Sequence, residues 1–200
     1  MKKLLIIAVA CLLVAACAGR PKTETSTIEI KYDGKEIPFI AKSGFATVQE
    51  ALFSSSSSDP ARNKHALRWI TIRNYEFDAA KRNPNNDALT APEQVKIFLS
   101  IHDDGGTGVD TPLKAAIYKG GKTGSAPMSF ELINVYVFRD GKEERLYLYP
   151  ASTSNPAASE VKITAVDGDT ISGEINASGK NDNGKDFVVK GPFTAKIYKH

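Results

Sequence analysis

After residue 67, apolar and polar residues alternate along most of the chain with a period of two. That is the period of a strand with one face on a core and the other in water. "LRWITIRNYEF" (67–77) and "EQVKIFLSI" (93–101) read as strands flanking an Asn- and Pro-rich loop, "KRNPNNDALTAP" (81–92). "LKAAIYKGG" (113–121) is a third candidate. In "SEVKITAVDGDTISGEINAS" (159–178) the odd positions Val161, Ile163, Ala165, Ile171 and Ile175 are apolar, while Lys162, Ser172, Glu174 and Asn176 are polar. "KDFVVKGPFTAKIYK" (185–199) continues the pattern with Phe187, Val189, Phe193, Ala195 and Ile197.

Two Asp-Gly pairs set hairpins, because a type I′ turn needs positive φ at both central residues and Asp-Gly tolerates it. A turn on Asp33-Gly34 faces Ile30 with Ile37 and Ile28 with Phe39, and puts Lys31 opposite Glu36 on the other side. Pro38 lacks an N–H and points to an edge position. A turn on Asp140-Gly141 pairs Val135 with Leu146 and Ile133 with Leu148, with Tyr136 facing Arg145 at cation–π reach. "TVQEALF" (47–53) predicts one short helix: Thr47 and Glu50 have capping-box spacing, and Val48, Ala51 and Leu52 share a side. The serine run "SSSSSDP" (54–60) reads as a loop. The expected fold is mainly β, an antiparallel β-sandwich or barrel-like sheet of about eight or nine strands.

The first residues follow different rules. Met1, Lys2 and Lys3 precede an apolar run from Leu4 to Ala16. As a helix this run is roughly 20 Å long, too short to span a bilayer and right for a signal-peptide core. Val14-Ala15-Ala16-Cys17 resembles the lipobox of bacterial lipoprotein signal peptides: a branched apolar residue, two small residues, then cysteine. That resemblance implies cleavage before Cys17, whose thiol carries the lipid. Cleavage at Cys11 would leave a core of only Leu4 to Ala10 and strand Leu12 to Ala16 on the mature end. The expected organisation is a signal peptide over 1–16, a lipidated cysteine and tether over 17–26, and one β domain over 27–200. Two or three acyl chains together hold a protein durably on a membrane. Ala18 follows the cysteine where some Gram-negative lipoproteins carry an aspartate that retains them at the inner membrane. In such an organism the expected place is the outer membrane, facing the periplasm or the cell surface.

Cys17 is the last cysteine of the chain, so the mature domain has no disulfide, thiolate nucleophile or cysteine metal ligand. Without Lys2 and Lys3, 24 of the 26 basic residues face 23 acidic ones, and the two signs are interspersed. The sequence pI of 8.7 thus partly reflects the leader. No basic face for nucleic acid emerges. Residues 159–199 also resemble C-terminal modules of bacterial envelope lipoproteins, many from Bacteroidota, with a pattern like "VxIT-x-VDGDxISGxI" and a final "GxF-x-A-x-I" strand. The resemblance implies a β module and no particular chemistry.

Candidate chemistry is sparse. "HDDGGTGVD" (102–110) gathers Asp103, Asp104 and Asp110 among glycines, an oxygen-rich loop that could hold Ca²⁺, which takes six to eight hard oxygens. A solvated loop is the plainer reading, because Pro112 occupies the large apolar position of the calcium nonapeptide pattern and there is no second copy. "GGKTGS" (120–125) lacks the first glycine of a phosphate loop, since Ala116 stands there. Ser159–Lys162 (S-x-x-K) and Lys122–Gly124 (K-T-G) mimic β-lactamase elements in reversed order and without S-D-N. "NDNGKD" (181–186) reads as a turn on Asn183-Gly184. Of the three histidines, His102 alone has carboxylates beside it. Trp69 and the seven tyrosines, at strand spacing, read as packing residues, with a ligand groove as the other use. These features lead to an expectation of a lipid-anchored extracytoplasmic lipoprotein that binds an envelope protein or glycan, or serves the envelope structurally, with no cofactor. The alternative is an envelope-associated hydrolase whose site is assembled by the fold.

Overall fold

The structure, a computed structural model, describes residues 26–52, 64–80, 83–84, 87–103, 112–121 and 128–198. The Val14–Cys17 stretch expected to be a lipobox, the expected tether as far as residue 25, the serine run, residues 122–127, and Asp104 and Asp110 lie outside the described residues.

Among the described residues eleven strands form one sheet: β1 (Glu29–Tyr32), β2 (Lys35–Glu36), β3 (Ser43–Leu52), β4 (Lys64–Arg73), β5 (Val95–His102), β6 (Ala116–Gly120), β7 (Ser129–Arg139), β8 (Lys142–Leu148), β9 (Glu160–Asp167), β10 (Thr170–Lys180) and β11 (Asp186–Ile197). Two 3-10 turns, Pro150–Ser152 and Pro156–Ala158, lie between β8 and β9. Strands β3, β4, β5 and β7 pair antiparallel in that order, as do β6, β9, β10 and β11. Two short parallel seams join the halves: Lys119↔Ser129 and Gly120↔Phe130 between β6 and β7, and Lys196↔Phe45 and Ile197↔Ala46 between β11 and β3. Eight strands thereby close into a barrel, with β8 and the β1–β2 hairpin attached outside the ring.

At each seam one long strand changes partner. β7 leaves β6 after Phe130 and pairs with β8 from Ile133 onward. β11 pairs with β1 over Phe187–Lys190 before reaching β3. A glycine stands at each seam, Gly44 against the backbone of β11 and Gly120 against the 3-10 turn Pro156–Ala158. A Cβ on Gly44 would stand 2.2 Å from the Thr194 carbonyl oxygen, and one on Gly120 the same distance from that of Pro156. Only glycine fits either place without movement.

The inward residues fill the barrel. Ile70, Ile72, Ile97, Leu99, Ile133 and Val135 come from one side, and Val161, Ile163, Ile171, Ile175, Phe187 and Phe193 from the other, all buried in one cluster. An eight-stranded ring is just wide enough for such side chains. Both Asp-Gly turns form with positive φ at each residue, in the expected registers: Lys31↔Glu36, Val135↔Leu146, Ile133↔Leu148 and Tyr136↔Arg145. β2, beside Pro38, ends the strand order.

Three expectations need correction. Residues 47–52 are strand, not helix: β3 pairs with β4 from Ser43↔Arg73 to Leu52↔Lys64, and that ladder overrides the local capping pattern. Thr47, the expected cap, is buried on the outward side of the strand opposite Trp69. The sheet is a closed barrel and not a sandwich, because the two parallel seams join its edges. Ala165 is exposed and Val166 packs toward the core, because the β9–β10 register shifts between Ser172 and Gly173 and reverses the faces of β9 beyond Ile163.

Candidate functional site

The outward faces of β4, β5 and β7 are unusual for a barrel wall. Period two puts polar residues outside on most strands, yet here Trp69, Phe98 and Tyr136 point away from the core on three adjacent strands. Trp69 and Phe98 are half-buried, with ring centroids 5.8 Å apart and planes inclined at 54°. Thr71 lies opposite Phe98, and Lys96 opposite both Arg73 and Tyr136. Lys96 Nζ stands 4.6 Å from the centroid of the Tyr136 ring. Arg145 lies over Tyr147 instead, at 5.1 Å, so Tyr136 takes its cation from β5 and not from its hairpin partner.

The segment between β4 and β5 covers part of this wall. Arg73 Nε donates to Asp87 Oδ2 at 2.6 Å and its Nη2 to the Pro84 carbonyl at 2.6 Å. Tyr75 Oη donates to Asp87 at 2.9 Å. Lys96 Nζ donates to the Asp87 carbonyl oxygen, and the Leu89 N–H to Glu143 Oε2 at 2.9 Å. Asn74 spans the base of the loop, donating to the Glu93 carbonyl and accepting from the Val95 N–H. A groove of about 520 Å³ remains between wall and loop, floored by Trp69, Thr71 and Phe98, walled by Tyr136, Pro84 and Ala88, and edged by Asp87, Lys96 and Glu143. That volume is in the ~300–1,000 Å³ range of small-ligand sites.

Two phenols here are held protonated. Burial, then the Asp87 carboxylate, pushes Tyr75 far above the ordinary phenol range. Burial also raises Tyr136, against the pull of nearby Arg145. Both therefore act as neutral hydroxyls.

The sequence-predicted residues fall elsewhere. Asp103 points into the end of the barrel, where Arg68 Nε donates to its Oδ2 at 2.8 Å and Tyr118 Oη to its Oδ1 at 3.2 Å. Its carboxylate thus already has two protein partners; Asp104 and Asp110 are outside the described residues. Among the described residues no group of three or more His, Asp, Glu or Cys side chains is placed to hold a metal. His102 faces the other way, and its Nε2 lies 3.1 Å from Glu131 Oε2, which also accepts from Ser100 Oγ at 2.9 Å. Here a carboxylate joins serine and histidine, and Ser100 is 1% exposed. A hydrolase nucleophile instead needs its hydroxyl on the imidazole and open to substrate. Ser159 Oγ bridges to the Ser178 backbone and Lys162 is exposed on β9, so the S-x-x-K spacing assembles nothing.

Sequence reasoning missed Arg73, Asp87, Lys96 and Glu143. The one available signal was Trp69, Phe98 and Tyr136 at polar-phase positions of their strands. Comparison of the chain with protein-family models, with curated proteins and with solved structures yields no match.

Proposed function

We propose that this protein is a lipid-anchored, extracytoplasmic binding module of the bacterial envelope that offers its outer-wall groove to an envelope ligand. The observation that carries the reading is the aromatic trio on the solvent-facing phase of β4, β5 and β7, framed by fixed polar groups. Cross-strand packing accounts for the covered half of the Trp69 and Phe98 rings, and the half left in water is apolar surface that a ligand can cover. With the barrel interior filled by side chains, the outer wall is where such a ligand fits. The lipobox supports the anchor, and the polar stretch after Cys17 supports a tether of up to ~30 Å to the domain.

In cells, wild-type protein should take up an alkyne fatty acid and sediment with the envelope, and Cys17→Ala should lose the label. A photo-crosslinking residue at Ala88, on the groove wall, should form an adduct with envelope material that the same residue at exposed Ile117 does not. Unlabelled wild-type protein would overturn the anchor. Identical adducts, or none, from the two positions would overturn the groove.

A further inference from the structure

We infer that the ligand of the groove is a neutral oligosaccharide, an inference that rests on the groove being the binding site. Charge is the first discriminator. The groove edge and its support hold Arg73 and Lys96 against Asp87 and Glu143, two cations and two anions. They are already matched, Arg73 to Asp87 at 2.6 Å and Lys96 to Glu143 at 3.5 Å. Among the described residues of the groove edge and its support these charges balance, which favours a neutral ligand over a phosphate or a strongly charged peptide.

The floor is the second. The inclined Trp69 and Phe98 rings present a bent aromatic surface whose faces carry the negative side of the ring quadrupole. A pyranose ring has a complementary face, on which several C–H bonds point the same way and carry partial positive charge. Its edge carries hydroxyls, each both donor and acceptor. The groove supplies the polar counterpart at its rim, where the Lys96 ammonium donates and the Glu143 carboxylate, 28% exposed, accepts.

Preorganisation is the third. All three rings stand on strands of a closed barrel, and Tyr136 is further held by Asn134 Nδ2 on its hydroxyl at 3.4 Å and by Lys96 on its ring. Little ordering remains for binding to bring about.

Trp69 is the chain's single tryptophan, so its emission reports on the groove alone. Full-length protein in a polyoxyethylene detergent, chosen to avoid sugar headgroups, would be titrated with chitotriose, cellotriose and maltotriose. At least one should shift the emission saturably. Phe98→Ala should weaken that affinity tenfold or more while Ile117→Ser leaves it unchanged. Phe98→Leu, which keeps the apolar volume and removes the ring, serves if Phe98→Ala fails to fold by circular dichroism. The same protein would be titrated with short neutral and charged peptides. A response to peptides but to no saccharide overturns the saccharide inference and leaves the groove as the binding site. A folded protein whose Trp69 emission responds to neither overturns both. Saccharide affinity that survives the loss of the Phe98 ring places the ligand elsewhere and overturns the inference as well.

Discussion

Arg73 and Asp87 meet at 2.6 Å with their side chains 0% and 2% exposed, an ion pair fully withdrawn from water on the outer wall of a barrel. The pair fastens the β4–β5 loop to the sheet and so builds one wall of the groove. The guanidinium also lies 4.2 Å from the centroid of the Phe77 ring, and its Nη1 has no hydrogen-bond partner among the described residues, where the aromatic face stands in for one. Removing one partner of a buried pair leaves an uncompensated charge and typically costs ~3–5 kcal/mol. Asp87→Asn should therefore lower stability by about that amount in chemical denaturation. The double change Arg73→Met with Asp87→Leu should recover most of it. A single-variant loss below ~1 kcal/mol would show that the loop is held by other contacts.

Tyr75 makes the same cluster sensitive to alkali. Its folded-state pKa is raised by burial and by Asp87. A raised pKa contributes stability that is fully present below the unfolded value, ~10 for a phenol, and is lost as pH climbs above it. In a tyrosinate absorbance titration, Tyr75 and Tyr136 should ionise later than a free phenol, and Tyr75→Phe should remove one of the late transitions. The stability of Tyr75→Phe should fall less steeply than that of wild type as pH rises above ~10.

Arg68 and Asp103 form the corresponding pair inside the barrel end, each side chain 7% exposed. Asp103→Asn should cost ~3–5 kcal/mol by removing the carboxylate that balances the buried Arg68 charge. Tyr118→Phe should cost less, ~1.5–3 kcal/mol, the worth of a hydrogen bond to a charged group. Because the Asp103 oxygens are already occupied by protein donors, millimolar Ca²⁺ and millimolar Mg²⁺ should give the same melting curve. A calcium-specific rise of several degrees that disappears in Asp110→Asn would reinstate a metal site on the loop beyond Asp103.

The β3–β11 seam should tolerate no side chain at residue 44. Gly44→Ala places a methyl group 2.2 Å from a backbone oxygen, so a strand must move. Overpacking of this kind costs ~1–3 kcal/mol, and more where backbone is the obstacle. Gly121→Ala is the control, since its methyl would meet nothing nearer than 3.8 Å. Equal melting temperatures for the two variants would contradict the close crossing.

Local chemistry was enough to determine the hairpins and the faces of their strands. Asp33-Gly34 and Asp140-Gly141 specify turns by their φ preferences, and the registers of Lys31 with Glu36 and Val135 with Leu146 follow by counting outward. Alternation likewise marked Val161, Ile163, Phe187 and Phe193 as core. Sequence alone also supplied the resemblance of Val14–Cys17 to a lipobox, a contiguous pattern that no fold has to assemble.

Tertiary structure decided everything that depends on which strand lies next to which. Thr47–Leu52 carries a helical pattern and becomes strand because β4 offers a complete ladder. His102 and Asp103 are adjacent in sequence, yet one turns out toward Glu131 and the other in toward Arg68, since successive strand residues face opposite ways. The barrel closes through two-residue seams at Phe45 and Ser129, too short to leave a pattern. The groove joins Trp69, Lys96, Tyr136 and Glu143 across four strands. Periodicity tells each side chain which face it occupies, but neighbours across a sheet are chosen by the collective packing of a core whose members lie tens of residues apart.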